Sequence, residues 1–473
     1  MTIFSDLLLN IHEMINIVNN FMWSYLLIVL LIGAGLYFSF KTKFVQFRML
    51  KEMFYLLGNG LGKKEKKGGV SSFQAFCIST ASRVGTGNIA GVAMAIAIGG
   101  PGAVFWMWII ALIGGASSFI ESTLAQIYKV KNEDGSYRGG PAYYMEKGLN
   151  KKWMGVIFSI LISITFGLIF NAVQSNTVTM AFETAFGVDK GIMGIVLSVL
   201  TAIIIFGGVK KVAKISEIIV PIFATLYIVV ATLIVLLNIK YMPEIFKLII
   251  ESAFGLKEFA VGAISATIMQ GVKRGLFSNE AGMGSAPNAS ATADVTHPAK
   301  QGLLQTLGVF TDTLVICTCT AFIVLVSGSY MNTDLTGIQL TQNALSSQIG
   351  NLGDVFIAIC IFLFAFTSII GNYSYGESNI EFLHSNKLTV NIYRVLVVAM
   401  VIFGALTQVA IVWDLADLFM ALMAILNIIA IVLLRKIAIE TLKDYENQKK
   451  EGKDPIFNAS NFEELKGKTV WEN

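Results

Sequence analysis

Charge is what this sequence has least of. Only 14% of its 473 residues are Asp, Glu, Lys or Arg, against about 25% in a soluble domain. With 55% hydrophobic residues and a mean hydropathy of +0.68, a soluble globule is excluded. Histidine is scarce too. His12, His297 and His384 are far apart, which argues against a histidine-based metal enzyme. The four cysteines, Cys77, Cys317, Cys319 and Cys360, all fall in apolar segments. Only Cys317-x-Cys319 is close, and that spacing is too tight for a zinc knuckle. They read as reduced packing residues. No aromatic-laced basic domain exists, so nucleic acid is not a partner. The net charge of +4 says little about partners.

Nucleotide motifs fail as well. Gly85-x-Gly87-x-x-x-Gly91 has the wrong spacing for a dinucleotide fingerprint, and no βαβ unit surrounds it. "GNGLGKK" lacks the four-residue spacer and final Ser/Thr of a phosphate loop. An ATP-driven pump is therefore disfavoured.

What is present is a succession of long apolar runs, each near the roughly 20 residues that span a bilayer. They predict an all-α polytopic membrane protein with eleven spans: 18–40, 71–98, 102–128, 153–182, 190–208, 217–239, 258–295, 301–328, 355–376, 391–411 and 414–435. The first run is flanked by Asp6 and Glu13 rather than by basic residues, so it reads as a retained span, not a signal peptide. Lys and Arg concentrate in alternate loops: Lys41 to Gly69, Lys129 to Lys152, Lys210 to Lys214, Lys387 to Arg394, and the tail. Ser329 to Asn351 has none. The positive-inside bias then places the N-terminus outside and the C-terminus in the cytoplasm. Gly60–Gly69 and Asp134–Gly140 are expected inside, and Asn332–Asn343 outside. "EIFKLIIESAF", after Lys240, reads as an amphipathic interfacial helix.

Two spans contain breaks. "SRVGTGNIAG" puts Gly85, Gly87 and Asn88 in mid-span, with Arg83 as the sole charge between Val70 and Ile120. "ATIMQGVKRGLFSNEAGMGSAPNA" puts Gly271, Gly275, Gly282, Gly284 and Pro287 beside Lys273, Arg274 and Glu280. Unpaired backbone in hydrocarbon is tolerated only where protein buries it or it lines a cavity. Close packing through small residues is the competing reading. With the first span set aside, the breaks occupy corresponding places in two five-helix halves. That is the sequence pointer to a 5+5 inverted-repeat transporter. The expected organisation is one transporter domain over 1–440, with an extra span at 18–40 and repeats at 71–239 and 258–435. Residues 441–473 form a cytoplasmic tail.

"ASRVGTGNIAGVAMAIAIGGPGAVFWMW", "GGPAYYMEKGL" and "GVKRGLFSNEAGMGSAPNA" resemble signature stretches of the alanine or glycine:cation symporter family. The resemblance covers nearly the whole chain, excluding the tail after about residue 440. It implies a leucine-transporter-like fold in the plasma membrane and sodium-coupled symport of a small neutral amino acid by alternating access. It also implies that Thr86, Gly87 and Asn88 meet the substrate carboxylate, and that carbonyls of Met269, Gln270 and Gly271 meet the ammonium. Some family members carry tryptophan at position 270. Glutamine there leaves more room, so a substrate as large as glutamine fits, besides alanine or glycine. Sodium and the bilayer are the other partners; no obligate protein partner is implied.

Other candidates come from the residues themselves. Asn171 and Gln174 share a face of an apolar span and contact either the pocket or a neighbouring helix. Phe364, Thr367 and Ser368 lie at i, i+3, i+4, offering hydroxyl and carbonyl oxygens that suit sodium. Serine and threonine in membrane helices also bond back to their own helix. In the resembled fold, Ala81 and Val84 would supply opposing carbonyls. Arg83 either forms an ion pair, with Glu121, Glu280 or Asp312, or substitutes for a second sodium. Rival readings are proton coupling through buried acids, a channel, and an intramembrane enzyme. For the enzyme, Glu121, Glu217 and Asp312 have no accompanying nucleophile.

Overall fold

The computed structural model describes residues 13–60, 69–256, 261–332 and 334–472. His12, Asp6, Lys63, Lys64, Lys66, Lys67 and the start of the seventh expected span at 258 lie outside the described residues. Helix dominates, because in hydrocarbon the backbone must satisfy its own hydrogen bonds. α1 (Glu13–Lys41) is the extra span. α2 (Leu50–Gly60) follows it. The first broken span is α3 (Ser72–Arg83) and α4 (Gly87–Gly99), bent by 49°. α5 (Ala103–Ile127) leads to a short antiparallel hairpin, β1 (Val130–Lys131) with β2 (Tyr137–Arg138), and to α6 (Pro141–Lys147). Then come α7 (Lys152–Phe186), α8 (Lys190–Ile205), α9 (Gly208–Leu237) and α10 (Met242–Ala253).

The second broken span is α11 (Val261–Asn279) with α12 (Ala286–Thr292). α13 (Pro298–Ser327), α14 (Gly337–Ile349), α15 (Leu352–Leu383), α16 (Lys387–Leu406), α17 (Val409–Leu433) and α18 (Arg435–Lys450) complete the longer described helices. Eight are long and apolar enough to cross a membrane singly, and the bent pair makes a ninth. α8 and the α11–α12 pair occupy the remaining expected spans.

Three boundaries differ from expectation. α9 begins at Gly208, so Lys210, Lys211 and Lys214 sit in its first turns rather than in a loop. Long lysine stems can run along a helix and still reach water. α14 was expected to be loop. It is a helix with Thr341 and Gln342 fully buried, and the Thr341 hydroxyl donates to the Ile89 carbonyl at 3.1 Å. Its polar composition hid it from a hydropathy reading. The tail folds back rather than trailing away. Phe457 N–H donates to the Thr296 carbonyl, Trp471 Nε1 donates to the Gln126 carbonyl at 2.8 Å, and Lys300 pairs with Asp454 at 2.5 Å.

The extra span packs beside α17, where Asn19 Nδ2 donates to the Asp414 carbonyl at 2.9 Å and Trp23 Nε1 to the Asp417 carbonyl at 3.2 Å. α10 is the expected amphipathic helix, and its Ser252 hydroxyl accepts from Gly102 N–H at 3.0 Å.

Candidate functional site

The first break is short. α3 ends at Arg83, Val84 is extended (φ −79°, ψ 95°), and helix resumes at Gly87 as a wide π-turn. The freed groups find side-chain partners on this span and on another. Gly85 N–H donates to Asn88 Oδ1 at 2.9 Å. Gln174 Oε1 accepts both the Thr86 N–H, at 3.0 Å, and the Thr86 hydroxyl, at 2.8 Å. One carbonyl oxygen thus takes two donors, as an oxygen of a carboxylate can. Neither Gly85 nor Gly87 has a positive φ. They are glycines because of crowding: a Cβ on Gly85 would collide with the Ser368 hydroxyl, and one on Gly87 would lie 2.8 Å from Phe277 Cδ1.

Beside this break, the Ser368 Oγ of α15 lies 2.8 Å from the Ala81 carbonyl, 3.2 Å from the Val84 carbonyl and 3.0 Å from the Phe364 carbonyl. A hydroxyl has one proton. It can satisfy one of these acceptors, so three carbonyls and a hydroxyl converge with an excess of lone pairs. Thr367 adds its hydroxyl, which donates to the same Phe364 carbonyl at 2.9 Å. All five residues are buried. Hard, uncharged oxygens of this kind suit an alkali cation and repel an anion.

Asn88 carries a feature that the sequence reading missed. Its Nδ2 donates to Asp312 Oδ1 at 2.6 Å. The Ser278 hydroxyl, on α11, donates to Asp312 Oδ2 at 2.5 Å. The Asp312 carboxyl is fully buried and thereby joins both broken spans to α13. An isolated acid in an apolar run was the available signal; its partner was not readable. Asn171 takes the interhelical alternative. Its Oδ1 accepts from Asn372 Nδ2 at 3.0 Å. Asn372 Oδ1 lies 2.6 Å from the Ser82 hydroxyl, which is 2.9 Å from Glu280 Oε1.

Two expectations are corrected. Arg83 makes no ion pair among the described residues. Its Nη1 donates to the Gln305 carbonyl at 3.2 Å, while Glu121, Glu280 and Asp312 are hydrogen-bonded to other groups. Gly308 opposite it has no side chain, which lets the guanidinium fill that space. Met269, Gln270 and Gly271 do not lie at the second break. They are inside the continuous helix α11, where carbonyls are committed to residues four further on. The break falls at Glu280–Ser285, with positive φ at Glu280 (58°), Gly282 (86°) and Gly284 (85°). Gln270 instead packs against Gly99, at the far end of α4. Phe277, about 10 Å along the helix at 1.5 Å per residue, is the side chain set against Gly87. Its ring packs at a tilt between Phe170 (4.6 Å) and Trp413 (4.8 Å).

The second break is pinned by acid. Glu121 of α5 accepts from Gly282 N–H and Gly284 N–H, each at 3.1 Å, and from Asn427 Nδ2 at 2.8 Å.

From the hairpin end, a cavity of about 890 Å³ runs inward between Ile78, Asn288, Thr292, Ser374 and Glu377. Its rim carries charges of both signs. Arg394 pairs with Glu377 at 2.7 Å, Arg138 with Glu381 at 3.0 Å, and Lys210 with Asp134 at 3.0 Å. The Ser136 hydroxyl and N–H, then Lys210, hold the exposed Asp134 carboxyl down to about 2. A vestibule thus reaches towards the breaks from one end.

A family model described as the sodium:alanine symporter family matches residues 8–459. The chain belongs to that family. A probable sodium/glutamine symporter of Bacillus subtilis (strain 168), GlnT, is 57% identical over 98% of this chain and 96% of its own length. The sodium/alanine symporter AgcS of Methanococcus maripaludis is 38% identical over 93% of this chain and 99% of its own. Among solved structures, MhsT in complex with L-phenylalanine superposes with a TM-score of 0.54 at 15% identity, covering 80% of this chain and 98% of that one. A Na+-coupled sialic acid symporter superposes with a TM-score of 0.50 at 14% identity, covering 87% and 86%. These two likenesses show the fold, which is that of leucine-transporter-like proteins. The sodium:alanine symporter match runs past residue 440, so part of the folded-back tail lies within the family's common length. This family is one of multi-pass membrane transporters.

Proposed function

We propose that this protein is a sodium-coupled symporter of a small neutral amino acid, working by alternating access. The observation that carries the reading is the convergence of Ala81, Val84, Phe364, Thr367 and Ser368 oxygens directly behind a break whose amides are held only by the neutral carboxamides of Gln174 and Asn88. Sodium binds those oxygens and ties α15 to the end of α3. The substrate carboxylate replaces Gln174 Oε1 on the Thr86 N–H and hydroxyl, where the start of α4 contributes a favourable dipole. Sodium and substrate then stabilise the same arrangement of the first break, so each raises the other's affinity.

Phe277 and Asn88 border the carboxylate site, and Gln174 moves aside. The reading assigns the vestibule to the cytoplasmic side, following the lysine-rich loops, with the N-terminus outside. Spans 71–239 and 258–435 act as the two repeats. Relatives named for alanine and for glutamine support these two substrates, with glycine as the smallest candidate.

A second reading, in which a proton replaces sodium, draws on one observation: the Asp312 carboxyl beside Asn88. One experiment separates them. Purified protein in proteoliposomes is given an inward sodium gradient at constant pH, and uptake of radiolabelled alanine, glycine and glutamine is followed. Sodium-driven uptake that competes with other small neutral amino acids is expected. Uptake that follows a pH gradient and ignores sodium would replace the first reading with the second. Non-saturating flux would replace both with a channel.

A further inference from the structure

Lys273 and Arg274 lie in the part of α11 that precedes the second break, whereas α12, beyond it, lines the vestibule. These two residues are therefore on the opposite side of the break. They are 8% and 3% exposed, and both pair with one acid, Asp417 of α17. Lys273 Nζ is 2.7 Å from Oδ2. Arg274 donates from Nη1 and Nη2 to Oδ1 and Oδ2 at 3.1 and 2.9 Å. Two cations on one carboxylate leave the triad with a positive charge, which is expensive in a buried setting. The Trp413 ring lies 4.6 Å from the Arg274 guanidinium and the Trp23 ring 5.7 Å from the Lys273 ammonium. Such rings soften the charge without neutralising it.

Three buried polar atoms on the same helix have no partner among the described residues: Gln270 Oε1, Arg274 Nε and, at the helix end beside the break, Asn279 Nδ2. Positions 270, 273 and 274 share one helix face. That face thus offers a surplus cation, an unused donor and an unused acceptor.

Resting on the symport reading, we infer that this face is an entry subsite for the zwitterion of an α-amino acid. Lys273 and Arg274 Nε–H receive the carboxylate, and Gln270 Oε1 receives the ammonium. In the present arrangement the subsite is shut off from the Thr86 site by Phe170, Phe277 and Trp413. Trp413 belongs both to that aromatic layer and to the Arg274 contact. Opening the α11–α17 clamp therefore moves the layer as well, and substrate held at the entry face passes inward past Phe277.

The test compares the two membrane faces, in right-side-out and inside-out vesicles, with radiolabelled alanine and glutamine as probes. Lys273→Gln should raise half-saturation about tenfold for substrate offered opposite the vestibule, the size of one lost charge-assisted contact. Half-saturation from the vestibule face should stay unchanged, and Lys273→Arg should restore the first value. Gln270→Leu breaks no ion pair and should show a smaller rise on the same face alone. Equal changes on both faces, or none on either, in Lys273→Gln and Gln270→Leu would overturn the entry subsite while leaving symport intact. Should Lys273→Gln fail to fold, the one-sided rise in Gln270→Leu decides alone. Unmodified protein that takes up no amino acid overturns both.

Discussion

The two breaks solve one problem in opposite ways. Both free backbone groups inside an apolar bundle. At Val84–Thr86 the partners are neutral: the Gln174 carboxamide, the Asn88 carboxamide and the Ser368 hydroxyl. At Glu280–Ser285 the amides of Gly282 and Gly284 are held by the Glu121 carboxylate. Charged hydrogen bonds are worth about twice neutral ones. The glycines differ likewise. Gly282 and Gly284 adopt positive φ, whereas Gly85 and Gly87 give space to Ser368 and Phe277. In the proposed function, the first break exchanges its partners for ligands. The second is a fixed joint, with Lys273 and Arg274 on one side and the vestibule on the other.

The largest expected effect comes from weakening the joint. Glu121→Gln supplies one acceptor oxygen where two amides need one each, and turns an N–H₂ towards the other. Loss of about 3 kcal/mol of stability is expected, from two charge-assisted bonds. Thermal unfolding in detergent reads this as a lower midpoint, with transport lost alongside. An unchanged midpoint would mean that Glu121 is not what holds the second break.

Ser368→Ala strikes the exchangeable break instead. It removes the oxygen around which Ala81, Val84 and Phe364 converge. Half-maximal sodium for uptake should rise about tenfold, since about 1.4 kcal/mol is one decade, while the unfolding midpoint moves little. Thr367→Ala should act in the same direction more weakly, and Thr367→Ser should be mild. Altered midpoint with unaltered sodium dependence would make these hydroxyls packing groups.

A pair of methyl insertions sharpens the contrast. At Gly282 an added Cβ finds room, with its nearest neighbour 3.7 Å away, but must hold φ at +86°. About 1–2 kcal/mol of stability should be lost, with substrate affinity in the surviving protein unchanged. At Gly87 the backbone accepts alanine, and the new Cβ presses on Phe277. Substrate half-saturation should rise several-fold with stability largely kept. A reversal of these outcomes would invert the roles assigned to the two breaks.

The smallest effect concerns the exit of the second broken span, where His297 caps α13. Its Nδ1 accepts from Ala299 N–H at 3.2 Å, and its Nε2 lies 3.1 Å from Asp444 of α18. Burial lowers the ring's proton affinity, with Asp444 opposing. The unfolded ring, near its ordinary value of about 6.5, therefore takes a proton before the folded one does. The contribution is present above that pH and declines as pH falls below about 6.5. A decline of a few tenths of a kcal/mol to about 1 kcal/mol, roughly one capping interaction, is expected in unfolding midpoints between about pH 7.5 and 5.5. His297→Asn keeps a capping oxygen that cannot titrate and should flatten the slope. Equal slopes would assign the titration to another group.

The sequence by itself determined the helical spans, the neighbourhood of both breaks and the Phe364–Thr367–Ser368 face. Each of these has a local signature: an uncharged run, paired glycines, or an i, i+3, i+4 repeat. Only the tertiary structure decided what each feature meets. Ser368 reaches Ala81 across 287 positions of sequence, and Asn88 reaches Asp312 across 224; no periodicity encodes such distances. The same limit explains the corrected residues. A glycine-rich stretch from Gly271 to Gly284 could have opened at any of several points, and Gln270 looked placed for the ammonium. The structure opens where Glu121 can reach the amides of Gly282 and Gly284. That choice keeps α11 whole and sets Phe277, rather than Gln270, against Gly87. Arg83 likewise had two readings, an ion pair with an acid or a substitute for a second sodium, and packing against Gly308 left it on the Gln305 carbonyl. Composition and spacing fix which groups are available. Close packing between distant helices fixes their partners, because a break in the backbone settles where side chains from elsewhere can satisfy it.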